Sequence, residues 1–437
     1  MIPDKFELSS GHVRRKLGTL SALLLLASLA SPAMPQVFNH PSTGEETINA
    51  AATRRIELAN DAANLLPISA FYDAKQTLGP GSPGELIRSE PVSGLQLPSG
   101  VSAIRILYRS VSPAGKPVAA SGLVLIPAGQ HPARGWPVIA WTHGTTGVTR
   151  PCAPSLMKDI GYYAWAELST LVDMGYAVVA TDYQGLGTAT RHPWADKITN
   201  AQDAIYSVPA AHAAVKSLST RWVVMGHSQG GLAAASVGEL EHSMKDPGYL
   251  GSVAIAAPLD LEKVFGRMDA PDADSLNNAY LVLLARSLPA TYSNFTPDQI
   301  LTTAAMKRLA EAGDHCVTVD MAFTFDLPQG EVVKGNWRSN PTIQAFFKRN
   351  AMTGPIAGPM LILASTDDES VPATTQDDAV ARLCAGGATI NYVRYAGFGL
   401  DHDGIERGTT GSRLRWIQDR FAGLPAPTNC SSLKALK

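Results

Sequence analysis

The sequence predicts an α/β protein with a mainly parallel sheet and helices on both sheet faces. Short apolar runs bounded by turn residues recur along the chain, and several are apolar throughout, as strands covered on both faces are. Helical stretches separate these runs, so that strand and helix alternate. The chain has 437 residues, of which 45% are hydrophobic and 17% charged. This is enough for one large domain with an insertion, or for two domains.

The first segment, residues 1–33, is predicted to be a cleaved secretory signal. A basic stretch ending at Lys16 precedes the apolar run LGTLSALLLLASLA, and small residues follow at Ala30 and Ala33. The run is shorter than the roughly 20 residues that a membrane span needs. We expect a secreted or periplasmic protein without a stable membrane anchor; the alternative is an N-terminal anchor helix.

Residues 34–100 are predicted to be an N-terminal extension packed on the main domain. They are rich in Pro, Gly, Ser and Ala, with one plausible helix near TRRIELANDAANLL. VSAIRILYRS and PVAASGLVLIP follow, alternate apolar and polar residues, and are joined by the turn sequence SPAGK. This pattern predicts an antiparallel hairpin at a sheet edge.

The α/β core is predicted in two parts, residues 101–261 and 360–437, around a helical lid or cap at 262–359. Further strands are predicted at PVIAWT, YAVVATD, WVVMG, SVAIAAP, MLILAST and TINYVRY. Predicted core helices are YAWAELSTLVDMG, ITNAQDAIYSVPAAHAAVKSL and LAAASVGELEHSM. The segment 262–359 is longer than a simple crossover requires. It contains three helical stretches, LNNAYLVLLARSLPATY, TPDQILTTAAMKRLAEAG and TIQAFFKRNAM.

Charge and cysteine content limit the possible partners. The formal net charge is −2, which predicts no nucleic-acid or anionic-membrane partner and suits a neutral small-molecule substrate. Four cysteines in an exported chain suggest two disulfides, with three possible pairings. They lack metal-ligand spacing, and we expect neither a metal nor another cofactor. The oligomeric state is left open.

MGHSQGG, residues 225–231, predicts a nucleophilic serine on a sharp turn between a strand and a helix. RWVVM supplies the strand and GLAAASVGELEH the helix, the context that G-x-S-x-G requires. Side chains two residues before and after the serine would collide with backbone, which explains Gly226 and Gly230. Ser228 then exposes its hydroxyl at the positive end of the helix. The alternative is a glycine-rich turn without chemistry.

A serine nucleophile needs a base and an orienting acid, which follow it in the order acid, then histidine, on such a sheet. His402 lies in the loop after the last predicted strand, TINYVRY, where the base belongs. His242 falls within or just after the serine's own helix, and His315 falls in the predicted lid. We therefore expect His402 to be the base.

The acid should follow the strand MLILAST. Asp367, Asp368 and Glu369 compete for this role. Neighbouring carboxylates raise each other's pKa, so one of them should be held by hydrogen bonds.

Two backbone N–H groups are expected to form an oxyanion hole. One is the amide of Gln229, directly after the serine. The other should come from HGTTG, residues 143–147, where the amide of Thr145 or Thr146 points inward. We expect Thr145 to supply it, and a threonine hydroxyl could add a third donor.

Together these motifs resemble the secretory lipase family of α/β-hydrolases, in its bacterial secreted lipase and esterase branch. The resemblance rests on WTHGTTG, RPCAPS, ATDYQGLG, MGHSQGG, DESVP and DHDG, and spans about 100–410. It implies an α/β-hydrolase fold and a helical lid before the acid-bearing strand. It also implies hydrolysis of carboxylic esters, as an esterase or a triacylglycerol lipase, through an acyl-enzyme.

The resemblance also implies roles for particular residues. The acid of the D-x-x-V-P stretch corresponds to Asp368, and the base and nucleophile to His402 and Ser228. The chain departs from the family in a longer, glycine-rich YAGFGLDHDG segment and in Ala364, where glycine is common. The disulfides implied by the resemblance join Cys152 with Cys316 and Cys384 with Cys430.

The substrate is less determined than the chemistry. Lipases, esterases and acyltransferases can use this site. The predicted lid includes Arg286 and Lys307 and has no continuous apolar stripe, which favours an esterase over a true lipase. Two alternatives are acyl transfer to an alcohol and, in a different class, a non-catalytic binding protein on a hydrolase scaffold.

Overall fold

The computed structural model describes residues 49–74, 78–159 and 165–433. The predicted signal, residues 1–33, lies outside them. The strands are β1 (Leu86–Pro91), β2 (Ser102–Val111), β3 (Pro117–Ile126), β4 (Trp136–Thr142), β5 (Ala177–Thr181), β6 (Leu218–His227), β7 (Tyr249–Ile255), β8 (Pro359–Ser365) and β9 (Thr389–Tyr395).

The helices before the long segment between β7 and β8 are α1 (Ala50–Asn64), α2 (Trp165–Asp173), α3 (Lys197–Ala214) and α4 (Gln229–Met244). That segment contains α5 (Leu261–Met268), α6 (Asn278–Ser287), α7 (Thr303–Ala312), α8 (Val317–Thr324) and α9 (Pro341–Asn350). After it come α10 (Ala373–Ala385), α11 (Gly404–Gly408), α12 (Thr410–Phe421) and α13 (Cys430–Leu433). We call residues 262–359 the helical insertion.

The strands of the described residues form one sheet in the order β1-β2-β3-β5-β4-β6-β7-β8-β9. β1, β2, β3 and β5 pair antiparallel in turn, and every pair from β5–β4 to β8–β9 is parallel. The predicted mainly parallel sheet is therefore confirmed. Because β4, β6, β8 and β9 run in the same direction, the loops that follow them lie along one edge of the sheet.

Both faces of the sheet are buried, which explains the continuous apolar strands. In β5, AVVAT is buried at every position. Successive residues of β4 point to opposite faces: Val138 packs in the core with residues of α3, and Ile139 packs in the core with residues of α2 and α12. The α/β-hydrolase fold with helices on both faces is thus built as the sequence indicates.

The edge of the sheet differs from the prediction. The sequence predicts the hairpin of β2 and β3 at the edge, but β1 pairs with β2 outside it, from Leu86 opposite Tyr108 to Pro91 opposite Ile104. The N-terminal extension thus supplies the outermost strand. The strand LIRSEP is partly exposed, as edge strands are, and its few apolar residues do not form a pattern that predicts a strand.

The extension also contacts the helical insertion. In α1, Arg54 Nε donates to the carbonyl of Ala322 in α8 at 3.1 Å, and Asp61 lies 2.7 Å from His315 Nδ1. The first helix, α1, is therefore hydrogen-bonded to the helical insertion. Among the residues that the structure describes, we find no helix that is both long and apolar enough to cross a membrane.

Candidate active site

Ser228 occupies a strained turn between β6 and α4. Its backbone has φ 58° and ψ −122°, a conformation that residues with a side chain rarely adopt. A Cβ on Gly226 would lie 2.1 Å from Thr142 Oγ1, and a Cβ on Gly230 would lie 1.8 Å from the Thr142 carbonyl oxygen. The two glycines are therefore required by close approach to β4, which is the steric reason predicted from the sequence.

The structure brings Ser228, His402 and Asp368 together. Ser228 Oγ lies 2.9 Å from His402 Nε2, and His402 Nδ1 lies 2.8 Å from Asp368 Oδ2. The other carboxylate oxygen, Oδ1, accepts hydrogen bonds from the amides of Ser370 at 2.9 Å and Val371 at 2.7 Å. When a hydroxyl, an imidazole and a carboxylate are hydrogen-bonded in this order, the imidazole can take the proton of the serine hydroxyl.

The other acids of the cluster lie elsewhere. Asp368 is only 1% exposed, whereas Glu369 is exposed. Asp367 Oδ2 accepts a hydrogen bond from the amide of Gly399 at 2.8 Å, which fixes the loop leading to His402. Of the three competing carboxylates, Asp368 alone is hydrogen-bonded to His402 in the described residues.

The acid and the base shift each other's pKa. Burial lowers the pKa of His402, but the charge and hydrogen bond of Asp368, together with the charges of Asp403 and Asp401, outweigh it and raise this pKa to about 9. Burial raises the pKa of Asp368, but the charge and hydrogen bond of His402 lower it below its usual range. The neutral imidazole, which can accept the serine proton, therefore becomes more abundant as the pH rises toward 9.

His227, the residue before the serine, supports the loop that carries the base. Its Nε2 lies 2.8 Å from the carbonyl oxygen of His402, and the two rings are 4.7 Å apart. Burial and then the charge of His402 lower the pKa of His227 to about 4. At neutral pH His227 is therefore uncharged and donates through Nε2. Nothing in the sequence indicated this contact.

The segment after β4 lies beside the serine. A Cβ on Gly144 would be 3.6 Å from the Cβ of Ser228. Thr145 Oγ1 accepts a hydrogen bond from Trp194 Nε1 at 2.9 Å, while Thr146 Oγ1 donates to the carbonyl of Cys152 at 2.8 Å. Gln229 is the first residue of α4, and the first amides of a helix have no partner within it. Both predicted donors, Thr145 and Gln229, thus lie in segments that border Ser228.

Two disulfides have the pairing that the family resemblance implies. Cys152 joins Cys316, with 5.4 Å between the Cα atoms, and Cys384 joins Cys430, with 5.2 Å. The first ties the segment after β4 to the start of α8 in the helical insertion, where the amide of Val317 also donates to the carbonyl of Thr146 at 2.9 Å. The insertion is therefore anchored next to the site.

The remaining candidate groups lie outside this arrangement. His315 pairs with Asp61, and His242 lies in the last turn of α4. Within residues 49–74, 78–159 and 165–433, no three or more His, Cys, Asp or Glu side chains are placed to hold a metal ion.

Comparison with known proteins identifies the family. A sequence model of the secretory lipase family matches residues 163–429. A probable inactive lipase of Mycobacterium tuberculosis is 25% identical over 391 residues, which cover 84% of this chain and 85% of that protein. Lipase A of Arthroderma benhamiae is 23% identical over 379 residues, 81% of this chain and 76% of the relative.

Solved structures share the fold. Candida antarctica lipase A in its closed state has a TM-score of 0.68 and 17% identity, covering 84% of this chain and 89% of that one. The rice cell wall degrading esterase LipA from Xanthomonas oryzae has a TM-score of 0.63 and 21% identity, covering 78% of this chain and 98% of that one. With the family match over more than half of its length, the chain belongs to the secretory lipase family and has the α/β-hydrolase fold.

Proposed function

We propose that the chain is a secreted serine hydrolase that cleaves carboxylic esters through an acyl-enzyme. The observation that carries this proposal is the continuous contact from Ser228 Oγ to His402 Nε2 at 2.9 Å and from His402 Nδ1 to Asp368 Oδ2 at 2.8 Å. Membership of the secretory lipase family supports it.

In the proposed reaction Ser228 Oγ attacks the ester carbonyl carbon while His402 Nε2 takes the hydroxyl proton. His402 then gives this proton to the leaving alcohol, and the acyl group stays on the serine. A water molecule repeats the cycle and releases the acid. Asp368 orients the imidazole and stabilises its charged form, consistent with the raised pKa of His402.

The negative charge on the carbonyl oxygen would be held by the amides of Thr145 and Gln229. Such donors stabilise the transition state more than the bound ester, because the charge develops only there. Thr145 Oγ1 accepts from Trp194, so its own O–H is left to donate, which would add a third hydrogen bond. Loss of one such donor typically costs about 10²–10³ in kcat.

One comparison favours the non-catalytic alternative. The Mycobacterium tuberculosis relative is named a probable inactive lipase. This chain nevertheless has a serine, a histidine and a carboxylate in hydrogen-bonding contact, which a binding protein has no need to keep.

Hydrolysis of p-nitrophenyl esters with acyl chains of two to sixteen carbons tests the proposal. We expect the purified wild type to release p-nitrophenol and Ser228→Ala to release none above background. Highest activity on short chains would identify an esterase, and highest activity on long chains a lipase. Absence of turnover on every ester by folded, disulfide-bonded wild type would contradict ester hydrolysis and support a binding protein.

We also propose that the protein acts outside the cytoplasm. The two disulfides fit an oxidising compartment, as does the family. The intact mass of the protein recovered from cell fractions tests this proposal, because export should remove about 33 residues. Recovery of the full-length chain from the cytoplasm alone would contradict it.

A further inference from the structure

We infer that residues 192–194, the buried tripeptide His192–Pro193–Trp194, hold both proposed oxyanion donors in position. We call this segment the oxyanion brace. It lies between β5 and α3, and no sequence motif assigned it a role. The inference rests on the proposed function, since it concerns the same reaction. The side chains of His192 and Trp194 need not touch the ester, so both are positioning residues.

His192 acts on Gln229. Its Nδ1 donates to the carbonyl of Gln184 at 2.9 Å, which leaves Nε2 as an acceptor for Gln229 Nε2 at 3.1 Å. Burial lowers the pKa of His192 to about 3, so the ring is neutral at neutral pH and Nε2 remains an acceptor. A protonated imidazole could only donate, and this contact would be lost.

The second proton of the Gln229 side-chain amide is also bound. Gln229 Nε2 donates to Asn200 Oδ1 at 3.1 Å, and Asn200 Nδ2 donates in turn to the carbonyl of Pro193 at 3.3 Å. His192 and Pro193 therefore hold Gln229 directly and through Asn200. These two bonds restrict the movement of Gln229, which is the first residue of α4 and follows Ser228 directly.

Trp194 acts on the other donor. Its Nε1 donates to Thr145 Oγ1 at 2.9 Å. Trp194 is 5% exposed and Thr145 is 8% exposed, so both residues are largely shielded from water. An indole N–H can only donate, which makes the threonine oxygen the acceptor and fixes the rotamer of Thr145. One tripeptide thus contacts the side chains of both residues whose amides would bind the oxyanion.

The brace is itself held from the helical insertion. The Trp194 ring stacks on Tyr280 of α6, with an interplanar angle of 8° and 6.2 Å between centroids. Two residues after Trp194, Asp196 Oδ2 accepts from Arg349 Nε of α9 at 2.6 Å. Catalytic donors must be held to about 0.5 Å by packed neighbours, and the brace and insertion supply such neighbours.

Trp194→Phe tests the brace, with Trp222→Phe as its matched control. Phenylalanine keeps a ring to pack on Tyr280 but lacks the N–H. Trp222 makes the same kind of bond, from Nε1 to Asp246 Oδ2 at 2.9 Å, and is 0% exposed. Asp246, however, follows the C-terminal end of α4, whereas Ser228 lies at the N-terminal end of that helix. We expect Trp194→Phe to lower kcat about tenfold, with KM changed less than twofold, because the donors act mainly on the transition state. Equal kcat in the two variants, or a rise in KM alone, would overturn the inference.

A double-mutant cycle tests His192. We expect His192→Leu and Gln229→Leu each to lower kcat, and the double variant to fall no further than the worse single variant, because His192 acts through Gln229. Effects that multiply would show that His192 has a separate structural role and would contradict the brace.

Hydrogen exchange separates failure of the brace from failure of the proposed function. If the wild type hydrolyses no ester, the proposed function fails, yet amide exchange in residues 143–147 can still be compared. The brace predicts faster exchange there in Trp194→Phe than in Trp222→Phe. Equal exchange would overturn it, whatever the activity of the wild type.

Discussion

At the scale of single residues, the proposed hydrolysis should take its pH dependence from the pair of His402 and Asp368. The base must be neutral to accept the serine proton, and its pKa is raised to about 9. We therefore expect kcat/KM to rise with pH and to reach half of its maximum near pH 9. Initial rates with a p-nitrophenyl ester, measured across this range and corrected for spontaneous hydrolysis, check the profile. A plateau already present at neutral pH would contradict it.

Asp368→Asn extends this test. Removing the carboxylate charge should move the midpoint to lower pH, since that charge is the main cause that raises the pKa of His402. It should also lower kcat by about 10⁴, because the imidazole loses its orienting partner. Glu369→Gln is the control, since Glu369 is exposed. Equal profiles of the two variants would remove Asp368 from the mechanism.

Gly230 should tolerate no side chain. In Gly230→Ala the new Cβ would lie 1.8 Å from the carbonyl oxygen of Thr142, so the turn that carries Ser228 must move. We expect a loss of about 1–3 kcal/mol in the free energy of unfolding, as for other overpacked sites, and loss of most activity.

Gly411→Ala is the matched control for that substitution. Gly411 lies in α12 with no atom within 4 Å of a new Cβ. Alanine there should stabilise by about 0.4–1 kcal/mol without changing turnover. Urea unfolding and ester hydrolysis of both variants measure these effects. Equal free energies of unfolding for Gly230→Ala and Gly411→Ala would show that the turn carrying Ser228 can relax.

At the scale of elements, the parallel strands were predictable and the short or exposed ones were not. AVVAT of β5 is buried throughout, and its apolar run indicated this. β1 lies at an exposed edge and has no such run. In α8, VTVDMAFT is rich in β-branched residues, which weaken a helical pattern, so contacts with α1 decide its structure.

The candidate site likewise contains residues that the sequence predicts and residues that it does not. Ser228 and His402 follow from their positions after strands, and Asp368 was selected among three acids by the resemblance. The contacts of His192 and Trp194 join residues 37 and 49 positions apart. A single sequence does not report such contacts, because no motif or fixed spacing links these residues to the serine.

The disulfides should contribute unequally to stability. Cys152–Cys316 closes a loop of 164 residues, whereas Cys384–Cys430 closes one of 46. The entropy of an unfolded chain falls more when a longer loop is closed, by about 1 kcal/mol for this difference in length. Replacing both cysteines by alanine, one pair at a time, should therefore cost more for the first pair. Urea unfolding measures both, and a larger loss for the second pair would contradict the expectation.

At the scale of the whole molecule, residues 49–74 and 78–100, the described part of the predicted extension, belong to the same folded unit as the sheet. β1 pairs with β2, and α1 contacts α8 through Arg54 and Asp61. A chain beginning at residue 101, the boundary indicated by sequence, should therefore lose cooperative unfolding or at least 10 °C in Tm, because several kcal/mol of contacts are removed. A chain beginning at residue 34 is the control. Equal Tm values would show that the extension is dispensable.

The backbone of Ser228 opposes the stability of the molecule. A serine at φ 58° and ψ −122° costs about 1–3 kcal/mol, whereas glycine adopts such angles readily. Ser228→Gly should therefore melt at a higher temperature than Ser228→Ala, although neither hydrolyses an ester; equal melting would show that the turn is unstrained. In evolutionary terms, the proposed hydrolysis would oppose replacement of this serine through selection for turnover. A lineage freed from that selection would gain stability from Ser228→Gly, which removes the nucleophile and the backbone strain together, whereas Ser228→Ala would remove the nucleophile alone.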